Sequence, residues 1–290
     1  MMRTILTILL IFWNLENFFA PGQIPDKHWT AGQFYSKCNG VAKVMLMADD
    51  RYGATPDIAA FAEIGDSSVI RRLVYATPLR KLGYGIVHYD SPDRRGIDCA
   101  LLYRRSRLRL LSSKPCHLYD STGAVMPTRD ILLAVFAPLE ETASATPGCF
   151  AVLVNHHPSK VGSDSESRRS VAMERMHAIA DSLRREGIGR IVAVGDFNEE
   201  VAEDEDVTLA QDRSMSAPGT IKFEGRWEKI DACPLLEGFT ATETIFAPSQ
   251  LLARDSAFSG MKPLRTFSGP RYAGGLSDHL PILLELEPKP

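Results

Sequence analysis

Widely separated apolar runs, each closed by a small polar island, constrain this 290-residue chain more than any other feature. The islands are Asn14/Glu16, Glu63, Asn155-His156, Asp196/Asn198 and Asp278-His279. Short continuous apolar runs suit strands covered on both faces, so each island sits where a strand leaves its sheet. Such ends converge only if the strands share a common scaffold whose loops gather at one end.

The composition is that of a chain with a full core: 44% hydrophobic and 24% charged residues exclude disorder over the whole length. Thirty-three basic against thirty-six acidic residues give a net charge of −3, which lacks the global positive footprint of many nonspecific duplex binders. A local basic groove remains compatible with that balance. The five cysteines (Cys38, Cys99, Cys116, Cys149, Cys233) are odd in number, scattered and in no metal-ligand spacing, so they read as reduced thiols. Met1-Met2-Arg3 and the apolar stretch Thr4 to Trp13 have the outline of a signal peptide. The stretch is too short to span a bilayer, and no small-residue cleavage site precedes Asn14-Leu15-Glu16. The reading is a buried strand in a cytoplasmic protein with no stable membrane insertion; export through a cryptic signal is the alternative.

Along the chain, Thr30-Ala31-Gly32-Gln33 forms a capping box, and Phe34, Cys38, Val41 and Met45 then mark one apolar helix face. Pro56 to Ile64 reads as a strand ending in Glu63, and a second helix follows Ser67-Ser68 until Pro78 interrupts it. Gly85 to Tyr89, Ile97 to Tyr103, Ile131 to Pro138 and Cys149 to His156 read as strands without helices between them, which favours antiparallel pairing. Arg168 to Glu186 reads as a third helix feeding the strand Arg190 to Gly195, and Leu280 to Leu286 as the last strand. No repeat or linker divides residues 1–290, so a single domain is expected: a mixed α+β sandwich of two sheets face to face with helices outside.

Asn14 and Glu16 share one side of an apolar strand by period two. Asp196 and Asn198 do the same beyond Val192-Ala193-Val194-Gly195, where a carboxylate would orient a water and an amide would hold it or a phosphate oxygen. His156 and His279 occupy matching strand-end settings, and a carboxylate that holds such an imidazole keeps it oriented and protonated. Asp231 is the first candidate for that carboxylate, and Asp98 the second. Asn155, Lys160 and Arg271 are candidate substrate contacts, with Arg168, Arg169 and Tyr272 beside them.

Phe12-Trp13-Asn14-Leu15-Glu16-Asn17, Phe61-Ala62-Glu63-Ile64, Arg95-Gly96-Ile97-Asp98-Cys99-Ala100-Leu101-Leu102-Tyr103, Val154-Asn155-His156-His157-Pro158-Ser159-Lys160, Val194-Gly195-Asp196-Phe197-Asn198 and Leu276-Ser277-Asp278-His279-Leu280-Pro281 resemble, in that order, the endonuclease/exonuclease/phosphatase superfamily. The resemblance implies a four-layer α/β sandwich with two mixed, mainly antiparallel sheets, and hydrolysis dependent on Mg²⁺ or Mn²⁺ without a covalent intermediate. It implies Glu63 as principal metal ligand with Asn14, Glu16 and Asp278 nearby. Asp196 would align the attacking water, assisted by Asn198; His279 would pair with Asp231, and His156 would contact the scissile phosphate. Glu16 departs from the family pattern, standing where several members carry aspartate. So does the acidic stretch Glu199-Glu200 followed by Glu203 to Asp206, which as a loop overhanging the site would repel polyanions.

The expected function is therefore a metal-dependent phosphoester hydrolase acting on nucleic acid or on a small phosphorylated molecule, with oligomeric state open. The alternative is a catalytically silent binding module, which would have lost at least one of Glu63, Asp196 or His279; all are present. Arg94, Arg95, Arg104, Arg105 and Arg107 form a basic group in the sequence with Tyr103 as its only aromatic neighbour, short of the interleaving a single-strand binder needs. No apolar hairpin suited to a membrane surface is evident from the sequence.

Overall fold

A helical crossover returns a strand in the same direction and a short connection returns it in the opposite one, so the helices decide which strands run parallel. The computed structural model describes residues 7–24, 28–139, 148–160, 162, 164–211 and 215–289, so the leader-like Met1-Met2-Arg3 lies outside the described residues. Strand β1 (Ile8–Phe18) passes through α1 (Ala31–Tyr52) to a parallel β2 (Ile58–Ile64). After α2 (Ser67–Tyr75), β3 (Tyr84–His88) and β4 (Asp98–Arg104) pair antiparallel, and β4 joins β2. The next strands, β5 (Leu108–Cys116), β6 (Ile131–Pro138) and β7 (Phe150–His156), form an antiparallel meander, and α3 (Ser165–Arg185) leads to β8 (Ile191–Asp196), parallel to β7.

The last third alternates short strands with turns: β9 (Val207–Leu209), β10 (Ile221–Phe223), β11 (Arg226–Glu228), β12 (Asp231–Glu237), β13 (Phe239–Ile245), β14 (Leu252–Arg254), β15 (Met261–Pro263), β16 (Phe267–Ser268), β17 (Arg271–Tyr272) and β18 (Ile282–Pro288). One sheet of seven strands has the order β3-β4-β2-β1-β18-β13-β9, and one of five has β12-β8-β7-β6-β5. The two sheets pack face to face with helices outside, as the sequence predicts. Leu132, Ala134, Phe136, Val152, Val154, Val192 and Val194 face the first sheet, whereas Leu133, Val135, Leu153 and Ala193 face α3. That alternation is the strand period of two read on a sheet buried on both sides.

Helix α1 starts on the expected capping box, with Gln33 N donating to Thr30 Oγ1 at 3.2 Å and Thr30 N to Gln33 Oε1 at 2.9 Å. Strand β5 and the hairpins between residues 221 and 272 are not among the sequence expectations, because their apolar patterns are too short to show a period. Among the described residues no helix is long and apolar enough to cross a membrane.

Two expectations about charge need correction. The basic group is split by β4: Arg94 and Arg95 lie in the turn before it, while Arg104 and Arg107 lie at its far end, 3.8 and 3.3 Å from Asp57. Seven residues of strand separate the two halves by roughly 20 Å. Tyr103 stacks inward on Phe136 at 5.3 Å and offers no exposed platform. Of the acidic stretch, Glu203 and Asp204 are stitched to β12, and Glu199 pairs with Arg169 at 2.8 Å. Where β12 bulges between Ala232 and Leu235, Glu203 Oε2 accepts from Cys233 N at 2.8 Å and Asp204 Oδ2 from Leu236 N at 2.9 Å. Carboxylates satisfy outward backbone donors of β12, which is an edge strand of its sheet.

Candidate active site

The parity that sends Phe150, Val152 and Val154 toward the first sheet also sends His156 there, two residues beyond Val154. Asp196 ends the matching row of β8, and the register places His156 opposite Asp196 and Asp196 opposite Asp231. Three polar side chains thus stand abreast at one mouth of the gap between the sheets. The ends of β1 and β2 reach the same mouth, and the chain entering β18 brings in Asp278 and His279.

Asp196 is buried and fully engaged. Asn14 Nδ2 donates to its Oδ2 at 2.9 Å across the gap, and Asn198 N donates to its Oδ1 at 2.9 Å. Its carboxylate also faces Asp231 across the ladder, where like charges are unfavourable. Burial raises its pKa to about 6, opposed by His279 and reinforced by Asp231. His279 relieves the pair: its Nδ1 lies 2.8 Å from Asp231 Oδ2, and its Nε2 lies 3.9 Å from Asp196 Oδ2. Burial opposes a charge on His279, but Asp231 and Asp196 outweigh it and lift the imidazole well above its usual range. His156 is pushed the other way, by burial first and then by Arg129 and Arg95. Its Nε2 lies 3.7 Å from Asp196 Oδ2 and 3.9 Å from Glu63 Oε1, so a neutral imidazole spans the two sheets and a charged one stands beside it.

The carboxylate side is built on left-handed backbone. The ladder between β1 and β2 shifts between Asn14 and Phe18, with φ of 41° at Glu16 and 47° at Asn17, facing 59° at Glu63. Non-glycine residues rarely adopt such angles, and their clustering at strand ends marks a constrained site. The bulge also overturns the expected period-two pairing of Asn14 and Glu16. Asn14 turns into the gap, whereas Glu16 reaches the loop before β16, accepting from Thr266 N at 2.6 Å and pairing with Arg265 Nε at 3.3 Å. Arg265 Nη2 holds Asp278 Oδ2 at 2.7 Å, so one guanidinium gathers both carboxylates. Glu63 Oε2 accepts from Asn17 N at 2.6 Å.

Other sequence candidates are placed differently. Asn155 is fully buried on the α3 face, donating to Leu153 O at 3.1 Å and Val194 O at 3.4 Å, and is out of a substrate's reach. Asn198 spends a side-chain N–H on His157 O at 2.9 Å, bracing β7 against β8. Asp98 faces His88 at 3.6 Å, not His156 or His279. Lys160 is exposed and paired with Glu228 at 2.7 Å, and Arg271 is exposed on the β16–β17 hairpin. A hairpin that the sequence does not reveal, β10–β11, is rooted here: Ile221 bridges His279, Thr220 Oγ1 accepts from Asp231 N at 3.3 Å, and Phe223 is 62% exposed near the tip.

Lys37, Arg129, Arg265 and Thr266 escaped the sequence reading. Lys37 alone left a local trace, as the one cation on the apolar α1 face beside Phe34, Cys38 and Val41. Among the described residues, the compact His/carboxylate groups are Asp196-Asp231-His279 and His88-Asp90-Asp98. In the first, the Asp231–His279 separation of 2.8 Å is that of a hydrogen bond, which commits His279 Nδ1 to Asp231. Glu16, Glu63 and Asp278 are outside both groups, but they supply hard oxygen donors of the kind that suits Mg²⁺ or Mn²⁺.

The family model described as Endonuclease/Exonuclease/phosphatase family matches residues 13–223 and 219–288. No curated protein matches the sequence. Among solved structures, an endonuclease/exonuclease/phosphatase family protein from Bacteroides thetaiotaomicron aligns with a TM-score of 0.63 at 15% identity, covering 99% of this chain and 100% of that one. A mannosyl-6-phosphatase from the same species aligns at 0.61 and 16%, covering 96% and 99%. D. rerio TDP2 complexed with a single-stranded DNA product aligns at 0.56 and 14%, covering 97% and 98%. At these identities the structural likeness speaks for the fold, while the family model spans nearly the whole sequence: the chain belongs to the endonuclease/exonuclease/phosphatase family.

Proposed function

We propose that the protein is a phosphoester hydrolase that uses Mg²⁺ or Mn²⁺ and water, without a covalent intermediate. One observation carries the reading: the buried His279–Asp231 pair and Asp196 stand together at the mouth of the gap, facing Glu63 on the opposite sheet. The core between the sheets draws on both Ile8 and Leu286, which supports residues 1–290 acting as one domain.

Glu63 would be the chief holder of the metal, with Asn14, Glu16 and Asp278 nearby. The bound ion would neutralise a nonbridging phosphate oxygen. Asp196, held at both oxygens, positions a water and takes its proton as that water attacks phosphorus in line. The bond to the leaving oxygen breaks and the phosphorus inverts. His279, kept charged by Asp231, donates from Nε2 to a phosphate oxygen where negative charge develops. His156, kept neutral, orients a phosphate oxygen by hydrogen bonding and supplies no charge.

The test is a panel of bis-aryl phosphodiester, aryl phosphomonoester, sugar phosphate, single- and double-stranded DNA, and RNA, each with EDTA, Mg²⁺ or Mn²⁺. Metal-dependent cleavage absent from Asp196→Ala supports the hydrolase and sorts nuclease from phosphatase. No cleavage together with no metal binding in calorimetry makes the protein a binding module.

A further inference from the structure

Beside His156, on the β4 and β6 side of the mouth, two arginines share one carboxylate. Asp93 Oδ2 lies 3.3 Å from Arg129 Nη1, and its Oδ1 lies 3.6 Å from Arg95 Nε. Both Asp93 and Arg129 are buried as side chains, whereas the Arg95 side chain is half exposed. The arrangement is rigid. Asp93 Oδ1 also accepts from Arg95 N at 2.9 Å, Gly96 N closes the turn on Asp93 O at 3.0 Å, and Ser91 N is fastened to Asp98 Oδ1 at 2.8 Å. Arg129 Nη2 donates to the carbonyl of His157, the residue that follows His156.

Two guanidiniums share the Asp93 carboxylate, and Asp196 adds a further favourable charge for Arg129. Burial, and then Arg95 itself, oppose the charge on Arg129. Packing like charges together is unfavourable unless an anion joins them. Arg129 Nε is also buried without a hydrogen-bond partner, an unmet donor of the sort that folded proteins seldom leave. The Arg95 side chain is half exposed, and a guanidinium's planar array of N–H donors can take a phosphate through paired hydrogen bonds.

We infer that Arg95 and Arg129, joined through Asp93, form a second anion subsite that takes a phosphate group of the substrate other than the one cleaved. The substrate class is then a phosphoester carrying a further phosphate, from an oligonucleotide or from a small bisphosphate. This deepens the proposed function and rests on it for the meaning of "the one cleaved"; the binding measurement below does not.

Equilibrium binding is measured with Mg²⁺ for two ligand pairs: thymidine 3′,5′-bisphosphate against thymidine 5′-monophosphate, and a hexose 1,6-bisphosphate against its 6-monophosphate. The variants are Arg95→Gln, whose exposed side chain is not needed for folding, and Arg94→Gln, which alters an exposed neighbour in the same turn. The wild-type protein should favour a bisphosphate by about tenfold or more in at least one pair, the worth of a charge-assisted contact. Arg95→Gln should abolish that preference, and Arg94→Gln should keep it. The pair that shows the preference identifies the source of the second phosphate. Equal binding of mono- and bisphosphates in both pairs, or a preference that survives Arg95→Gln or is lost equally in Arg94→Gln, overturns the subsite. A preference present without cleavage of any ester overturns the hydrolase reading and leaves the subsite standing.

Discussion

Lys37 Nζ donates to the main-chain carbonyl of Glu16 at 3.0 Å, joining a buried ammonium on α1 to the residue that turns β1 out of its sheet. The same nitrogen reaches Leu15 O at 2.6 Å and Thr266 Oγ1 at 2.8 Å, and Thr266 N in turn holds the Glu16 carboxylate. A buried charge costs several kcal/mol unless it is fully hydrogen-bonded. Here it fixes three acceptors around a left-handed stretch. Burial lowers Lys37 to about 8, with Glu16, Asp278 and Glu63 opposing, so the ammonium also serves as counter-charge to the carboxylate cluster.

Lys37→Met should therefore destabilise the fold by about 2–4 kcal/mol, because it strands buried acceptors. It should also weaken Mn²⁺ binding, while Lys37→Gln, which keeps a donor, should lose less of both. Urea melts and calorimetric Mn²⁺ titrations of the two variants check this; identical losses in both would mean that donation to Glu16 is not what matters.

Asp196→Asn removes one of two carboxylates facing each other across β8 and β12 while keeping an oxygen for Asn14 or Asn198. Turnover should fall by roughly 10²–10⁴-fold, the usual worth of a positioned base. The melting temperature should hold or rise. A stable, active variant would remove Asp196 from the chemistry.

His279 and Asp231 act through one hydrogen bond, so their effects should not add. Each alanine variant should lose about 10²–10³-fold in kcat, and the double variant should be scarcely worse than either. Multiplying losses in the double variant would show that the two side chains work separately.

Glu63→Gln keeps the size of the side chain and the backbone of the β2 end but removes a hard anionic donor. Mn²⁺ affinity should drop by about 10–100-fold, the scale seen when a metal site loses a supporting group. A calorimetric isotherm superimposable on that of the wild type would move the ligand role to another residue.

Glu243, which pairs with Lys229 and feels the charge of Asp231, offers a pH test. Burial raises it from 4.5 to about 7, with Glu203 adding to the effect and Lys229, at 2.6 Å, opposing it. A carboxyl whose folded-state pKa is raised contributes stability that is complete below its unfolded pKa and is lost as pH rises through the folded one. Wild-type stability should thus decline relative to Glu243→Gln as pH climbs from about 4.5 to 7, followed by thermal melts across that window. A flat difference would mean that Lys229 keeps Glu243 ionised throughout.

The strands carrying His156 and Asp196 were legible because period-two burial is a local property: once Val152 and Val154 face the first sheet, His156 must follow. The capping box at Thr30 was legible for the same reason. Asn155 misled by its place beside His156, since the parity that aims one side chain into the gap aims the next at α3. The left-handed turns at Glu16 and Glu63 have no local signature, so their carboxylates could be named but not aimed.

The sequence by itself therefore determined the family, the two-sheet layout and the strand ends from which the site is drawn, because apolar periodicity and residue order are written locally. Only the tertiary structure decided that Arg265 would gather Glu16 and Asp278, that Lys37 would sit beneath them, that Asp98 would turn to His88, and that Arg95 and Arg129 would share Asp93. Those choices depend on which loops the sheet order brings together and on backbone turns held by contacts between residues as far apart as Glu16 and Arg265. Long-range packing sets them, and no short window of residues encodes it.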